Sequence, residues 1–229
     1  MTEIEPRTEH HVDTREALLD AAEKLFSEHG IQASSLRAIT QQAGANLAAV
    51  HYHFGSKEGL VRAVFSRRLK PLAEERTRLL EACDLSGGPD GGGVEQVLHA
   101  FIFPLLQMAR ETPDGARDFA QLVGRAFMEP TEEIRSMLMH EFKASAEGFI
   151  AALRQLLPHI PERELVWRFH FTAGAMGHTV SCSQMVERFS NGLCSSSDPD
   201  LMLRFLVSFL ASGLKAPASA GADPQGEPS

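Results

Sequence analysis

Apolar positions recur every three or four residues along most of the chain, and no stretch alternates apolar and polar residues as a half-buried strand does. The first apolar stripe contains Leu18, Ala21, Ala22, Leu25 and Phe26. Asp13 and Glu16 stand at capping-box spacing before it, and Gly30 follows it. The pattern predicts a first helix from Asp13 or Thr14 to Gly30, and an all-α fold.

The next 50 residues carry the signals of three more helices. Ser35 is a preferred N-cap residue before a helix at 36–43, and Gly44 follows as a residue that ends helices. A third helix is predicted at 47–54. A fourth is predicted at 57–82, where a proline inside the helix must bend it because proline lacks a backbone donor.

A glycine-rich stretch separates these helices from a longer helical region. We predict a disordered N-terminus at 1–12, a helix-turn-helix domain at 13–56, a linking helix at 57–82, a loop at 83–93, a helical domain at 94–214 and a disordered tail at 215–229. In the helical domain the apolar periodicity predicts helices near 94–110, 116–127, 131–157, 161–189 and 199–214. Both predicted disordered ends are polar and without periodicity.

The distribution of charge changes the picture that the total charge gives. The chain has a net charge of −8, which by itself disfavours a nucleic-acid partner. Between Ile31 and Lys70, however, six Lys and Arg residues face a single acid, Glu58. A cationic segment in an acidic chain indicates that this segment binds a polyanion.

Composition also indicates where the protein works. Three cysteines, an odd number placed far apart, form neither a disulfide framework nor a metal-binding pair, which suits a reducing cytoplasm. The N-terminus lacks the apolar core of a secretory signal, and no apolar run is long enough to span a membrane. We therefore expect a cytoplasmic protein without a membrane partner.

The segment from Ser35 to Lys57 has the features of a helix-turn-helix: two short helices with apolar residues on facing sides, joined by a tight turn at Gly44. Gly44 stands where the turn requires positive φ. In this motif the second helix enters the major groove of DNA. The motif therefore predicts that double-stranded DNA is the polyanion.

The residues of this segment that packing does not use are small, polar or cationic. The alanines would allow close approach to base edges, and the polar and basic side chains suit bases or phosphates. The predicted DNA-binding residues are Ser35, Arg37, Asn46, Leu47, Ala48, Ala49, His51, Tyr52, His53 and Lys57.

Other chemistry finds little support in the sequence. His51 and His53 are two apart and so lie on different sides of a helix, whereas a chelating pair prefers a spacing of four. His170 and His178 are two turns apart, and no third ligand stands at motif spacing. No nucleophile or paired-carboxylate motif is present. We predict no metal site, no cofactor and no enzyme activity.

Four segments in order, AAEKLFSEHG, SLRAIT, AGANLAAVHYHF and GSKEGL, resemble the DNA-binding domain of the TetR family of bacterial transcriptional repressors. The resemblance covers residues 14–65. His51 stands where a tyrosine is common in that family, with Tyr52 beside it, and Leu47 and Thr40 also depart from the usual pattern.

The resemblance implies a homodimer, formed through helices near 161–189 and 199–214, that binds a near-palindromic operator and is released by a small apolar effector. It further implies an effector cavity in the C-terminal ligand-binding and dimerisation domain. NLAAVHYHFGSK and VWRFHFTAGAM are similar to a subgroup that responds to long-chain fatty acids or their CoA esters, which favours an acyl effector. The residues predicted to line the cavity are Phe101, Leu105, Phe119, Leu122, Val123, Phe127, Trp167, Phe171 and Met176.

Two alternatives from other functional classes remain at this point. One is a helical ligand carrier or scaffold that does not bind DNA. The other is an enzyme acting on an acyl substrate, which the lack of a catalytic motif disfavours.

Overall fold

A computed structural model describes residues 8–111, 119, 122, 132–195 and 198–219, and the regular structure within them is helical. The helices are α1 Thr8–His29, α2 Leu36–Gln42, α3 Leu47–Phe54, α4 Lys57–Glu81, α5 Gly93–Glu111, α6 Glu132–Leu156, α7 Glu162–Ser181, α8 Ser183–Phe189 and α9 Pro199–Lys215.

The chain divides into two compact units. The N-terminal unit comprises Met1–Pro71 and Arg117–Leu138, and the C-terminal unit comprises Leu72–Ala116 and Met139–Ser229. The sequence-based prediction instead kept all of residues 94–214 in one domain. The predicted helix at 116–127 lies almost entirely outside the described residues.

In the N-terminal unit, buried apolar residues of α1 meet those of α2, α3 and α4. The core residues are Leu18, Leu19, Ala21, Ala22, Leu25, Phe26, Ile31, Ile39, Val50, Leu60, Val61, Val64 and Phe65. The hydroxyl of buried Ser34 donates to the carbonyls of Leu25 and Gly30, at 3.0 and 2.7 Å. These bonds satisfy carbonyls at the C-terminal end of α1 and fix the chain where it enters α2.

The core of the C-terminal unit is formed by buried apolar residues of α5, α6, α7 and α9. Aromatic rings meet in its core: the Phe101 ring lies 4.9 Å from that of Phe149 and 5.1 Å from that of Phe169, measured between centroids. Other core residues include Val97, Leu98, Ile102, Leu106, Leu153, Leu156, Leu165, Leu206 and Leu210.

The ends of the chain are more ordered than the sequence indicates. Helix α1 begins at Thr8, so Asp13 lies inside the helix and does not cap it. No proline or glycine stands between Thr8 and Asp13 to stop the helix. Residues 1–7 lie outside the described residues.

The predicted disordered tail, 215–229, is also corrected in part. Lys215 is the last residue of α9. Beyond it, the carbonyls of Ala216 and Pro217 accept hydrogen bonds from the Arg168 guanidinium, at 2.7 and 2.8 Å. The backbone N–H of Ser219 donates to Glu164 at 3.0 Å. These long-range bonds hold residues 216–219 against α7.

The helix predicted at 161–189 is interrupted at Cys182, whose φ of −122° and ψ of 21° are not helical. Two helices, α7 and α8, replace the single one. Ser, Cys and Ser at 181–183 have modest helix propensity, so little opposes a break there. By contrast, α4 and α5 continue past Pro71 and Pro104.

Gly59, in the first turn of α4, allows the end of α3 to approach closely. A Cβ at this position would overlap the carbonyl oxygen of Phe54. We predict that Gly59→Ala destabilises the N-terminal unit by about 1 to 3 kcal/mol, because backbone atoms must move to relieve the overlap. Chemical denaturation measures the change. Lys24→Ala, at an exposed helical position of α1, is the control and should change stability by less than about 0.5 kcal/mol.

Candidate functional site

Helix α3 turns one face outward. Leu47, Ala48, His51 and Tyr52 are exposed, and Tyr52 retains 74% of its surface. Their spacing of one and four residues places them on one side of the helix. Val50, on the opposite side, is completely buried. The outward residues, which we call the reading face, are therefore available to a ligand without disturbing the core.

Two predicted DNA-binding residues do not lie on the reading face. Ala49 and His53 are half-buried, since their positions on α3 fall on the side that turns toward the core. The His53 ring packs edge-on against the Tyr52 ring at 5.0 Å between centroids. Both side chains keep part of their surface accessible, so their DNA contacts stay predictions.

Ser35 and Asn46 act as helix caps. The Ser35 hydroxyl oxygen accepts the N–H of Ala38 at 3.1 Å, and the Asn46 side-chain oxygen accepts the N–H of Ala49 at 2.9 Å. Each bond satisfies a backbone donor that the first helical turn leaves unpaired. Asn46, which we expected to contact a base or phosphate, keeps both N–H donors of its amide nitrogen for a ligand.

His51 uses one ring nitrogen within its own helix. Its Nδ1 lies 2.9 Å from the carbonyl oxygen of Gly55. A carbonyl oxygen only accepts, so Nδ1 is the donor of this bond and Nε2 is the ring nitrogen that remains for a ligand. The contact of His51 with a phosphate stays a prediction.

The turn between α2 and α3 is as tight as the sequence predicts. Gly44 has a φ of +63°, which confirms the positive φ expected there. The N–H of Ala45 donates to the carbonyl of Thr40 at 2.9 Å, and Ile39 is completely buried. This turn fixes the direction in which α3 leaves α2, and with it the orientation of the reading face.

Two cations of the basic segment are neutralised within the fold. Glu23 of α1, almost fully buried, forms ion pairs with both Arg67 and Arg68. Asp20 adds a second pair with Arg67, at 2.7 Å. Burial alone would lower the pKa of Arg67, but hydrogen bonds to Glu23 and Asp20 outweigh it and raise that pKa. Arg67 and Arg68 hold α4 to α1 and contribute little to an anion-binding surface.

Other cations of the basic segment are exposed, and they are close in sequence to the reading face. Arg37 on α2 and Arg62 on α4 are exposed. The Lys57 ammonium, at the N-terminal end of α4, donates to the Gln32 carbonyl at 3.3 Å. The N-terminal ends of α2 and α4 also favour anions, because backbone N–H groups there have no helical partner. The N-terminal unit thus presents the reading face together with the positively charged N-terminal ends of α2 and α4.

Comparison with known proteins identifies the family. A model of bacterial regulatory proteins of the tetR family matches residues 18–64. A model of the tetracyclin repressor-like C-terminal domain matches residues 99–213, half of the chain. The chain belongs to the TetR family. Its N-terminal unit therefore contains the helix-turn-helix domain of that family of bacterial regulatory proteins.

Similar TetR-family proteins cover parts of the chain. The nicotine-responsive transcriptional repressor HdnoR of Paenarthrobacter nicotinovorans is 36% identical over 73 residues, which are 32% of this chain and 38% of that protein. The transcriptional dual regulator CecR of Shigella flexneri is 29% identical over 134 residues, 56% of each protein. The chain therefore spans well under two thirds of the length of these relatives.

Solved structures agree over most of the chain. The fatty acid degradation regulator FadR from Bacillus halodurans has a TM-score of 0.61 at 15% identity, covering 88% of this chain and 96% of that one. NalD, the secondary repressor of the MexAB-OprM multidrug efflux pump in Pseudomonas aeruginosa, has a TM-score of 0.58 at 23% identity, covering 90% and 98%. At these identities the likeness supports the TetR fold alone.

The structure separates the residues predicted to line an effector cavity. Phe101, Leu105 and Met176 are buried in the C-terminal unit. Phe119 and Leu122 belong to the N-terminal unit, where the Phe119 ring lies 6.1 Å from that of Phe65. Phe119 and Leu122 thus fill the core beside α4. Val123 and Phe127 lie outside the described residues.

Trp167 and Phe171, also predicted for the effector cavity, are exposed in the single chain. They retain 54% and 61% of their surface, with ring centroids 5.8 Å apart on successive turns of α7. Phe205 and Phe209 of α9, which packs against α7, are exposed as well. We call these four rings the aromatic face. Large exposed rings on two helices that pack together are typical of a protein interface.

Sequence reasoning missed Arg76 of α4. It retains only 3% of its surface, although arginine is rarely buried. It stands four residues after Leu72 and four before Leu80, within the apolar stripe of the helix. A charged residue at an apolar position of this stripe was the signal that could have identified it.

A separate groove of about 800 Å³ lies among α4, α5 and α9 of the C-terminal unit, and none of the predicted effector residues lines it. Within the described residues, no helix is long and apolar enough to cross a bilayer. No group of three or more potential metal ligands occurs among those residues.

Glu23 offers a test of the charge arrangement. We predict that Glu23→Gln lowers the free energy of unfolding by roughly 2 kcal/mol, because it leaves the buried ends of Arg67 and Arg68 without their shared counter-charge. Urea denaturation measures the effect. Glu28→Gln, an exposed position on the same helix, should have an effect below about 0.5 kcal/mol. Equal stability of the two variants would contradict the assignment.

Proposed function

We propose that the protein is a cytoplasmic homodimeric repressor that binds a near-palindromic operator through α3 and leaves it when a small apolar effector binds the C-terminal unit. The reading face carries this proposal: Leu47, Ala48, His51 and Tyr52 are exposed on a helix whose other side is buried. Ala48 and Leu47 suit contacts with thymine methyl groups, and the Tyr52 hydroxyl suits a phosphate.

Phosphate contacts in this proposal come from the elements around α3. Arg37 and Lys57 are placed on the helices that flank it, so they fix the protein on the DNA backbone without reading sequence. Two other predicted DNA-binding residues also cap helices. Ser35 and Asn46 contribute as caps that set the helix positions, with the Asn46 amide nitrogen as an additional donor.

The aromatic face supports dimerisation. Trp167 and Phe171 on α7 and Phe205 and Phe209 on α9 lie within the segments predicted to form the dimer. A Cβ at Gly174 of α7 would meet no atom within 4 Å, so this side of the helix is open to close approach by another helix. A two-fold pair of such faces buries the rings and presents two copies of α3 to one duplex.

An effector acts by preferring one of two arrangements of the dimer. If it binds more tightly when the two α3 helices are spaced wrongly for DNA, it shifts the population away from the operator. Shifting a ratio of 1:99 to 99:1 requires a difference of about 5.5 kcal/mol in binding free energy. Buried Phe101, Leu105 and Met176 support an apolar effector, and the resemblance to the fatty-acid subgroup favours an acyl compound.

Ala48 and Arg37 separate sequence reading from backbone contact. Binding is measured on two DNAs: the site that the wild-type protein selects from random duplexes, and an unselected duplex. Ala48→Leu should weaken binding to the selected site at least tenfold and leave binding to unselected DNA unchanged, because it crowds base edges. Arg37→Ala should weaken both and reduce the magnitude of the salt slope by about 0.9, the value for one phosphate contact.

The control for these variants is Ala151→Leu, at an exposed position of α6 in the C-terminal unit. It should bind both DNAs as the wild type does. Wild-type protein that selects no site, even at low salt, would instead favour the helical carrier that does not bind DNA.

Phe209 tests the dimer interface. The side chain retains 73% of its surface in the single chain, so Phe209→Asp should fold but sediment as a monomer, because a carboxylate cannot be buried in an apolar interface. Sedimentation velocity measures the oligomeric state, and circular dichroism checks that the variant is folded. Met139→Asp, on exposed Met139 of α6, is the control and should remain a dimer. A dimeric Phe209→Asp protein would refute this interface.

A further inference from the structure

The guanidinium of Arg76 is buried in the C-terminal unit among neutral groups. Its Nε donates to the carbonyl of Phe101 at 2.8 Å, and its Nη2 approaches the Met176 sulfur at 3.5 Å. Its central carbon lies 4.2 Å from the centroid of the Phe101 ring. Within the described residues, no acidic side chain forms an ion pair with Arg76.

This environment distinguishes Arg76 from three partly buried arginines within the described residues. Arg67 and Arg68 share Glu23, and Arg168 pairs with Glu164 at 2.6 Å. Burial lowers the pKa of Arg76 to about 10, so it is still charged at neutral pH. A buried cation normally has a counter-charge, because removing it from water costs more than neutral hydrogen bonds return.

The neutral contacts satisfy only part of the donor capacity of Arg76. A guanidinium has five N–H groups, and a thioether sulfur is a weak acceptor. One strong acceptor, the Phe101 carbonyl, is therefore present for the whole group among the described residues. The Phe101 ring adds a cation–π contact but accepts no further N–H in the plane of the guanidinium.

The surroundings of the charge are apolar. The Phe101 ring also packs on Phe149 and Phe169, and Met176 is a flexible side chain that can change its packing. Phe101 and Met176 are two of the residues that the sequence predicts for the effector cavity. The missed arginine therefore lies beside the predicted effector residues and supplies the charge that they lack.

We propose that Arg76 binds the carboxylate of the effector, which is an organic monoanion with an apolar body. One guanidinium balances one negative charge, and its planar fork matches the two oxygens of a carboxylate. The rings of Phe101, Phe149 and Phe169 and the Met176 thioether contact the apolar body. This inference rests on the proposed function, because it assigns the ligand class of the same effector-binding unit.

The experiment uses the full chain and two pairs of probes: decanoate and its methyl ester, and 1-naphthylacetate and its methyl ester. Calorimetry measures binding, and release from the selected DNA site measures the response. At least one acid should bind the wild-type protein ten or more times more tightly than its ester. Tenfold corresponds to about 1.4 kcal/mol, close to the lower limit for a hydrogen bond to a charged group.

Substitutions assign that preference to Arg76. Arg76→Met should abolish the preference for the acid while DNA binding without effector is retained, and Arg76→Lys should keep part of it because the charge remains. Arg154→Met removes an exposed cation of α6 in the same unit and should preserve the wild-type preference. If Arg76→Met does not fold, the wild-type acid-to-ester ratio and Arg76→Lys decide the question.

The outcomes separate this inference from the proposed function. If neither acid binds more tightly than its ester, or if Arg76→Met keeps the preference, Arg76 is a structural contact to the Phe101 carbonyl and the inference is overturned. The proposed function survives that result if the wild-type protein binds its selected site and a neutral apolar compound releases it. It fails if the protein selects no DNA, whatever the acids do.

Discussion

The packing of α3 against the N-terminal core is the constraint on which the rest of the structure depends. Val50 is completely buried, and Gly44 sets the turn that brings α3 onto α1 and α2. Once one side of a short helix is committed to the core, the other side must face the solvent. Substitutions on the reading face are then expected to leave the core of the N-terminal unit intact.

Charge is arranged around the same constraint. The chain as a whole is acidic, and part of its basic segment holds the fold together instead of facing outward. Glu23 neutralises Arg67 and Arg68, while Arg37 and Arg62 remain exposed. Part of the positive charge of α2 and α4 is therefore available to a polyanion, and part of it stabilises the fold.

Local signals made much of the N-terminal unit predictable. Ser35 and Gly44 mark helix ends through a side-chain oxygen and a positive φ, and the structure uses both in that way. Caps and turns depend on neighbouring residues, so a sequence reveals them. The Asn46 cap was nevertheless missed, because the sequence analysis assigned the Asn46 side chain to a ligand contact.

Contacts between distant parts of the chain were not predictable. An apolar ring at helical spacing suits a core, a cavity or an interface equally well, so Phe119 and Trp167 received the same role although one is buried and the other exposed. The burial of Arg76 likewise depends on Phe101 and Met176, which follow it by 25 and 100 residues. The helices were therefore predictable from the sequence, whereas which apolar rings are buried and which are exposed was not.

Footprinting of the full-length protein on the DNA that it selects tests the central claim most directly. The account predicts two protected half-sites with centres about 10 base pairs, or a multiple of one helical turn, apart, and methylation interference in the major groove of each. Protection of one half-site only, or of the minor groove alone, would contradict the placement of two α3 helices on one duplex.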